Sequence, residues 1–273
     1  MNHAETEAPL PGFLSFLRKR PTGTTGWKSW LTTVDHKRIG ILYFWTSLFF
    51  LLIAGGEALL MRAQLAGPDK TVLGGDLFNQ MVTMHATTIV FLAVMPLSAA
   101  FMNYFVPLMI GARDVAFPRL NAFSYWLYVV AAIVLNASWF LGGAPNFGWF
   151  GYANLTSTAY SPTHGAEFWI LGLAVISISS TVAALNFIVT ILNMRAPGMK
   201  LLKMPVFVWM SLITSVILIL ALPPVTIGLI YLLSDRMVGT GFYDPSMGGN
   251  VLLWHHLFWV FGHPEVYIIV LPP

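Results

Sequence analysis

Six stretches of this chain, at roughly 39–62, 81–110, 122–143, 166–194, 205–234 and 251–273, are apolar over lengths that can span a bilayer. A spanning helix needs about 20 such residues. Hydrocarbon offers no hydrogen-bond partners, so a spanning segment must satisfy its own backbone. Helices do this alone, whereas strands need a closed barrel. The apolar period is helical throughout. The expected fold is therefore all-α: a polytopic transmembrane helix bundle.

Composition agrees: 57% of the 273 residues are hydrophobic and 9% are charged, against about 25% charged in soluble domains. The net charge of +3 does not imply nucleic acid, because its distribution matters more than its sum. With no cysteine, disulfides and thiolate metal sites are excluded, and any metal must use His, carboxylate, Tyr or Met. The first 30 residues are polar and carry Pro9, Pro11 and the Arg18-Lys19-Arg20 cluster, so no cleavable signal peptide is evident. Residues 1–38 read as a solvent-exposed N-terminal arm and 39–273 as the membrane domain.

Alternating the loops between the two sides puts Arg18, Lys19, Arg20, Lys28, Lys37, Arg38, Arg113, Arg119, Arg195, Lys200 and Lys203 together. Only Arg62, Lys70 and Arg236 fall opposite. The positive-inside rule then makes the N-terminus cytoplasmic and the 143–165 loop, with Trp149, Tyr152 and Tyr160, external. The sixth span runs inward, and Glu265 lies roughly 22 Å along it, near the bilayer centre.

Ionisable groups at that depth are costly and mark function by default. The sixth span holds three polar groups in the run Gly262-His263-Pro264-Glu265-Val266-Tyr267. His263 and Tyr267 are i and i+4 on one helix face, so a metal held by one lies near the other. Pro264 removes a backbone donor and frees the carbonyl of Val260. Glu265 is offset from that face, and a carboxyl taken out of water is suited to holding a proton and passing it on. The plainer reading is a polar cluster that ties helices together. His255 and His256, beside Trp254, read as interfacial rather than as a metal pair.

A second constellation begins at His85 in the outer third of the second span, among small neighbours that let a planar cofactor approach. It reads either as an axial haem ligand or as a donor to a backbone carbonyl across the bundle. Arg62 ends the first span on the same side and either snorkels or meets such a cofactor. On the inner side, Asp114 follows the second span, and Asn103, Asn121, Ser124, Ser179, Ser180 and Asn186 supply amides and hydroxyls. Together they can line a water-filled path from Asp114 to Glu265. Singly, each reads as a helix–helix bond or a cap.

Several motifs occur in one order: Val34-Asp35-His36-Lys37-Arg38-Ile39-Gly40, Met84-His85, Ile110-Gly111-Ala112-Arg113-Asp114-Val115-Ala116-Phe117-Pro118, Asn193-Met194-Arg195-Ala196-Pro197-Gly198-Met199 and Trp259 to Tyr267. In these the chain resembles subunit I of the haem-copper terminal oxidases over essentially its whole length. The resemblance implies a subunit that reduces O2 to water and pumps protons, with low-spin and high-spin haem A and copper B. It implies that His85 is an axial ligand of the low-spin haem, that Arg62 meets that haem's formyl group and that His263 is a copper ligand. Tyr267 would be the tyrosine covalently joined to His263. Asp114 would open the proton path, with Asn103, Asn121, Ser124, Ser179, Ser180, Asn186 and Tyr43 holding its waters, and Glu265 would be its branch point.

The resemblance also implies about twelve helices, of which six are expected here, with the remaining ligands beyond residue 273 and a bacterial cytoplasmic (inner) membrane location. The expected partners are subunits II and III and cytochrome c or a fused cytochrome c domain. The family's quinol oxidases typically carry an arginine and an aspartate where this chain has Ile53 and Glu57, which argues for cytochrome c as donor. Ser138 to Pro145 also resembles the bacterial caa3-type members. Gln64 replaces an acid tied to calcium or sodium in many relatives, so no such ion is expected. The reading from a different class is a passive transporter or structural bundle without redox chemistry.

Overall fold

A computed structural model describes residues 26–69 and 71–272. Most of the expected N-terminal arm, including Arg18, Lys19 and Arg20, lies outside the described residues, as does Lys70. Among the described residues every regular element is helical. The long helices are α1 (His36–Gln64), α2 (Gly75–Met109), α3 (Pro118–Ala137), α4 (Gly165–Asn193), α5 (Val206–Val238) and α6 (Val251–Val270).

The first five are long and apolar enough to cross a membrane. The sixth falls where the sixth span was expected and has 20 residues, but His255, His256, His263 and Glu265 dilute its apolar character below that of the others. Two boundaries also differ from expectation. The second helix begins at Gly75, because its first turns carry Asp76, Asn79 and Gln80, and an apolar pattern cannot detect polar helical turns. The third ends at Ala137, where a turn leads to Gly142 and Gly143 with φ of 101° and 105°.

Local chemistry sets the ends. Asp35 caps α1, its carboxylate accepting from the backbone N–H of Lys37 and Arg38, which satisfies donors that the first turn leaves open. Burial pushes the Asp35 carboxyl up, but the Lys37 side-chain and backbone hydrogen bonds and the Lys37 charge outweigh it, leaving it below the usual carboxylate range. Pro118 opens α3 at a position where its missing N–H costs nothing. At the end of α5, Gly239 takes the left-handed conformation with φ of 72°.

Sequence neighbours pack side by side, α1 with α2, α3 with α4, α4 with α5 and α5 with α6. Helix α1 also touches α3, while α2 reaches α4, α5 and α6, so the helices enclose a common interior. Small residues permit the close approaches: a Cβ on Gly172 of α4 would come within 2.4 Å of the Leu135 side chain on α3, and one on Gly40 of α1 within 2.9 Å of the Ala100 carbonyl on α2. The loop between α3 and α4 folds onto the helix ends. Trp254 donates to the Phe150 carbonyl at 3.0 Å, and the buried Arg236 guanidinium clasps Glu167 at 2.8 Å together with the carbonyls of Thr156 and Thr163.

Within α2, residues Thr88–Val94 form a π-helical segment. A wider turn breaks the ordinary ladder, and the Leu92 carbonyl there accepts a hydrogen bond from the Tyr128 hydroxyl of α3 at 2.7 Å. The segment also sets direction. His85 and Asn103 lie about five α-helical turns apart, which would put them on one face, and an extra residue rotates one against the other by roughly 100°.

Candidate functional site

His85 is half-buried on α2, and its Nδ1 lies 2.9 Å from the Ala54 carbonyl on α1. A carbonyl only accepts, so Nδ1 carries the proton and Nε2 keeps its lone pair. This is how a metal-binding imidazole is ordinarily held: one nitrogen anchored, the other free. The two readings of His85 thus use different nitrogens and are compatible. The donor set fits an axial haem ligand. Arg62 is exposed in the last turn of α1.

Past the π segment, Asn103 turns toward α3. Its side-chain carbonyl accepts from the Asn121 amide at 2.6 Å, and its own amide donates to the Ala99 carbonyl at 2.8 Å. The network continues deeper. The Ser124 hydroxyl donates to the Asn121 backbone carbonyl at 2.8 Å, and Ser179 of α4 donates to the Ser124 carbonyl at 2.6 Å. Since Ser124 has spent its proton, Tyr43 of α1, with its hydroxyl 3.4 Å away, is the donor of that pair. Asn103, Asn121 and Ser124 are fully buried, and the Asn121 side-chain oxygen has no partner.

A cavity of about 60 Å³ lies beside this network, lined by Tyr43, Ser179 and Ser180 among others. Asn186 is elsewhere. Its amide is engaged with the backbone of Phe117, accepting at 2.9 Å and donating at 3.2 Å. Thr190 accepts from the Ala116 N–H at 2.8 Å, one turn further on. These two α4 residues therefore hold the loop that carries Asp114, rather than the cavity wall. Asp114 is itself buried, its carboxylate accepting from the Val115 N–H at 2.8 Å.

Helix α6 runs unbroken through Pro264. His263 and Tyr267 are both exposed and lie side by side, ring centroids 4.8 Å apart and planes at 71°. Glu265 points the other way: it is 1% exposed, and one of its carboxyl oxygens is buried with no partner. The imidazole–phenol pair fits a metal site with a redox-active neighbour, although no three His, Asp or Glu side chains gather at one point among the described residues. Phe261 stacks on Phe91 of α2 at 6.0 Å. His255 packs on Tyr152 of the α3–α4 loop at 4.4 Å, and His256 is exposed.

Three polar residues escaped the sequence reading as site members. His36 is 1% exposed, its Nδ1 donates to the Asn103 carbonyl at 2.7 Å, and its Nε2 is buried without a partner. Its position in the first turn of a spanning helix was the available signal. Glu57, weighed only as a replacement, is buried with one oxygen unpartnered. Thr214 of α5 is the third. Gln64 accepts from the Leu73 N–H at 2.8 Å, pinning the α1–α2 loop with a neutral carbonyl.

Comparison with known proteins gives a consistent family. The family model for "Cytochrome C and Quinol oxidase polypeptide I" matches residues 38–273. The chain is 52% identical over 255 residues to cytochrome c oxidase subunit 1 of Bacillus sp. (strain PS3), covering 93% of this chain and 41% of that protein. It is 48% identical over 270 residues to a probable cytochrome c oxidase subunit 1-alpha of Streptomyces avermitilis, covering 98% and 46%. Quinol oxidase subunit 1 of Bacillus subtilis is 45% identical over 246 residues, covering 90% and 38%. The chain thus spans less than half the length of each of these relatives.

Proposed function

Because the chain belongs to the cytochrome c and quinol oxidase polypeptide I family, we propose that it forms part of the catalytic subunit of a respiratory terminal oxidase. The reaction is reduction of O2 to water with electrons from cytochrome c, coupled to proton pumping. The membrane is the bacterial cytoplasmic one, with the N-terminus inside.

The observation that carries this reading is the division of α6. One face presents His263 and Tyr267 with their rings 4.8 Å apart, and the other buries Glu265 toward the bundle. His263 would be one ligand of copper B, and His85 would bind the iron of the low-spin haem A. When bound, the haems and copper supply electron transfer and oxygen reduction.

The chain's own residues position and move protons. The Ala54 carbonyl fixes the His85 ring, leaving Nε2 to bind iron. Tyr267, one turn from His263, offers a hydroxyl proton and an oxidisable ring. Asp114 opens a path past Asn103, Asn121, Ser124, Ser179, Ser180 and Tyr43, and Glu265 receives its protons near the membrane centre. Asn186 serves this path by holding the Asp114 loop.

Subunits II and III are the expected partners, with cytochrome c or a fused cytochrome c domain delivering electrons. Ile53 supports that donor, since a quinol head-group site loses its cation there. Glu57 and the quinol oxidase relative favour the second reading, a quinol oxidase. Reduced-minus-oxidised spectra and elemental analysis of the full-length protein test the family chemistry, and absence of haem and copper would overturn it. Turnover with reduced cytochrome c, set against turnover with a quinol alone, decides the donor.

A further inference from the structure

On the inward face of α5, Ser211, Thr214, Ser215 and Leu218 follow the i, i+3, i+4, i+7 spacing of one helix side, and all four are buried. The first and third turn their hydroxyls back into their own helix. Ser211 donates to the Phe207 carbonyl and Ser215 to the Ser211 carbonyl, each at 2.8 Å. Thr214 does not. It is 1% exposed and its hydroxyl has no partner, yet it lines the same cavity as Ser98, Ser179, Ser180 and Ser215.

A buried hydroxyl without a partner is destabilising, so one that persists beside a cavity also reached by the hydroxyls of Ser98, Ser179, Ser180 and Ser215 points to ordered water at that polar corner of a largely apolar wall. The space is sufficient, since about 10–15 Å³ holds one water molecule and the cavity measures about 60 Å³. The partners are also present. Ser179 gives its proton to the Ser124 carbonyl and Ser215 gives its own to Ser211, so both offer acceptor lone pairs to a water that Thr214 anchors. Ile268 of α6, one turn beyond Glu265, lines the same cavity.

We propose that Thr214 is a positioning residue of the proton path: it anchors cavity water between the Ser179–Ser180 wall of α4 and the α6 helix that carries Glu265. Helix α5 thereby becomes a wall of the path. The proposal rests on the oxidase reading, in which protons pass from Asp114 to Glu265.

The test uses the complete oxidase in vesicles, with proton uptake followed by a pH-sensitive dye during a single turnover. Thr214→Val, which keeps shape and removes the hydroxyl, should slow uptake by about tenfold, the scale of one lost hydrogen bond in a barrier, with haem spectra unchanged. Thr214→Ser should restore uptake to within about twofold of the parent on the same scale. Infrared difference spectra should lose a water O–H band in the valine variant and regain it in the serine variant. If Thr214→Val misfolds, Thr214→Ala replaces it under the same criteria. Uptake at the parental rate in these variants, with Asp114→Asn slow, overturns the role of Thr214 and leaves the path standing. Parental uptake in Asp114→Asn as well overturns the path, and this proposal with it.

Discussion

The polar network between α1 and α4 and the outward face of α6 both hold costly polar groups in membrane-depth helices, but they are held in opposite ways. In the network, Asn103, Asn121, Ser124 and Ser179 spend hydrogen bonds on one another or on neighbouring carbonyls, and all are buried. On α6, His263 and Tyr267 are exposed, with their rings side by side. The first region is completed by this chain's own helices. The second faces away from this chain's own helices, and in the proposed oxidase reading it would be one edge of a site that other ligands finish. In that reading stability and reactivity are separated in space, and substitutions should separate them too.

The largest contrast is expected at His263. Replacement by Ala should abolish copper binding and turnover in the full oxidase while leaving the low-spin haem spectrum in place; elemental analysis and visible spectra check the two halves. Glu265→Gln comes next, lowering turnover by roughly 10²- to 10⁴-fold, the range for a lost proton-transfer group, with haem spectra intact. Preserved turnover would remove Glu265 from the path.

Within the network the balance reverses. Asn121→Leu strands the Asn103 side-chain oxygen and should destabilise the fold by about 1–3 kcal/mol, read as a shifted denaturation midpoint. The smallest effect belongs to Tyr128→Phe, which removes the bond to the π-segment carbonyl of Leu92 at a cost of about 0.5–1.5 kcal/mol. If that variant also weakens the low-spin haem spectrum, the π segment sets the direction of His85 as well as the packing.

Much of this was legible in the chain. Apolar length announced the helices, and the motif order announced the family, because both are local patterns. The grouping of Asn103, Asn121, Ser124 and Ser179 as a set was also readable. Asn186 was read with the path residues; its engagement with Phe117 depends on how α4 meets the α2–α3 loop. His36 was visible inside a motif but not as a neighbour of Asn103, since the two are far apart along the chain. Arg236 counted only as an outer-side cation until its guanidinium proved buried against Glu167.

What the sequence determined by itself is the all-α membrane architecture and the kinds of chemistry available, since hydrophobic length and residue type act without knowledge of neighbours. Direction and partnership belonged to the tertiary structure. The π segment turns His85 toward α1 and Asn103 toward α3, and helix packing decides that Glu265 faces the interior while His263 and Tyr267 face out. It also leaves the Thr214 hydroxyl over a cavity. These outcomes depend on helix rotation and contact between distant segments, which residue identity constrains only after the bundle has assembled.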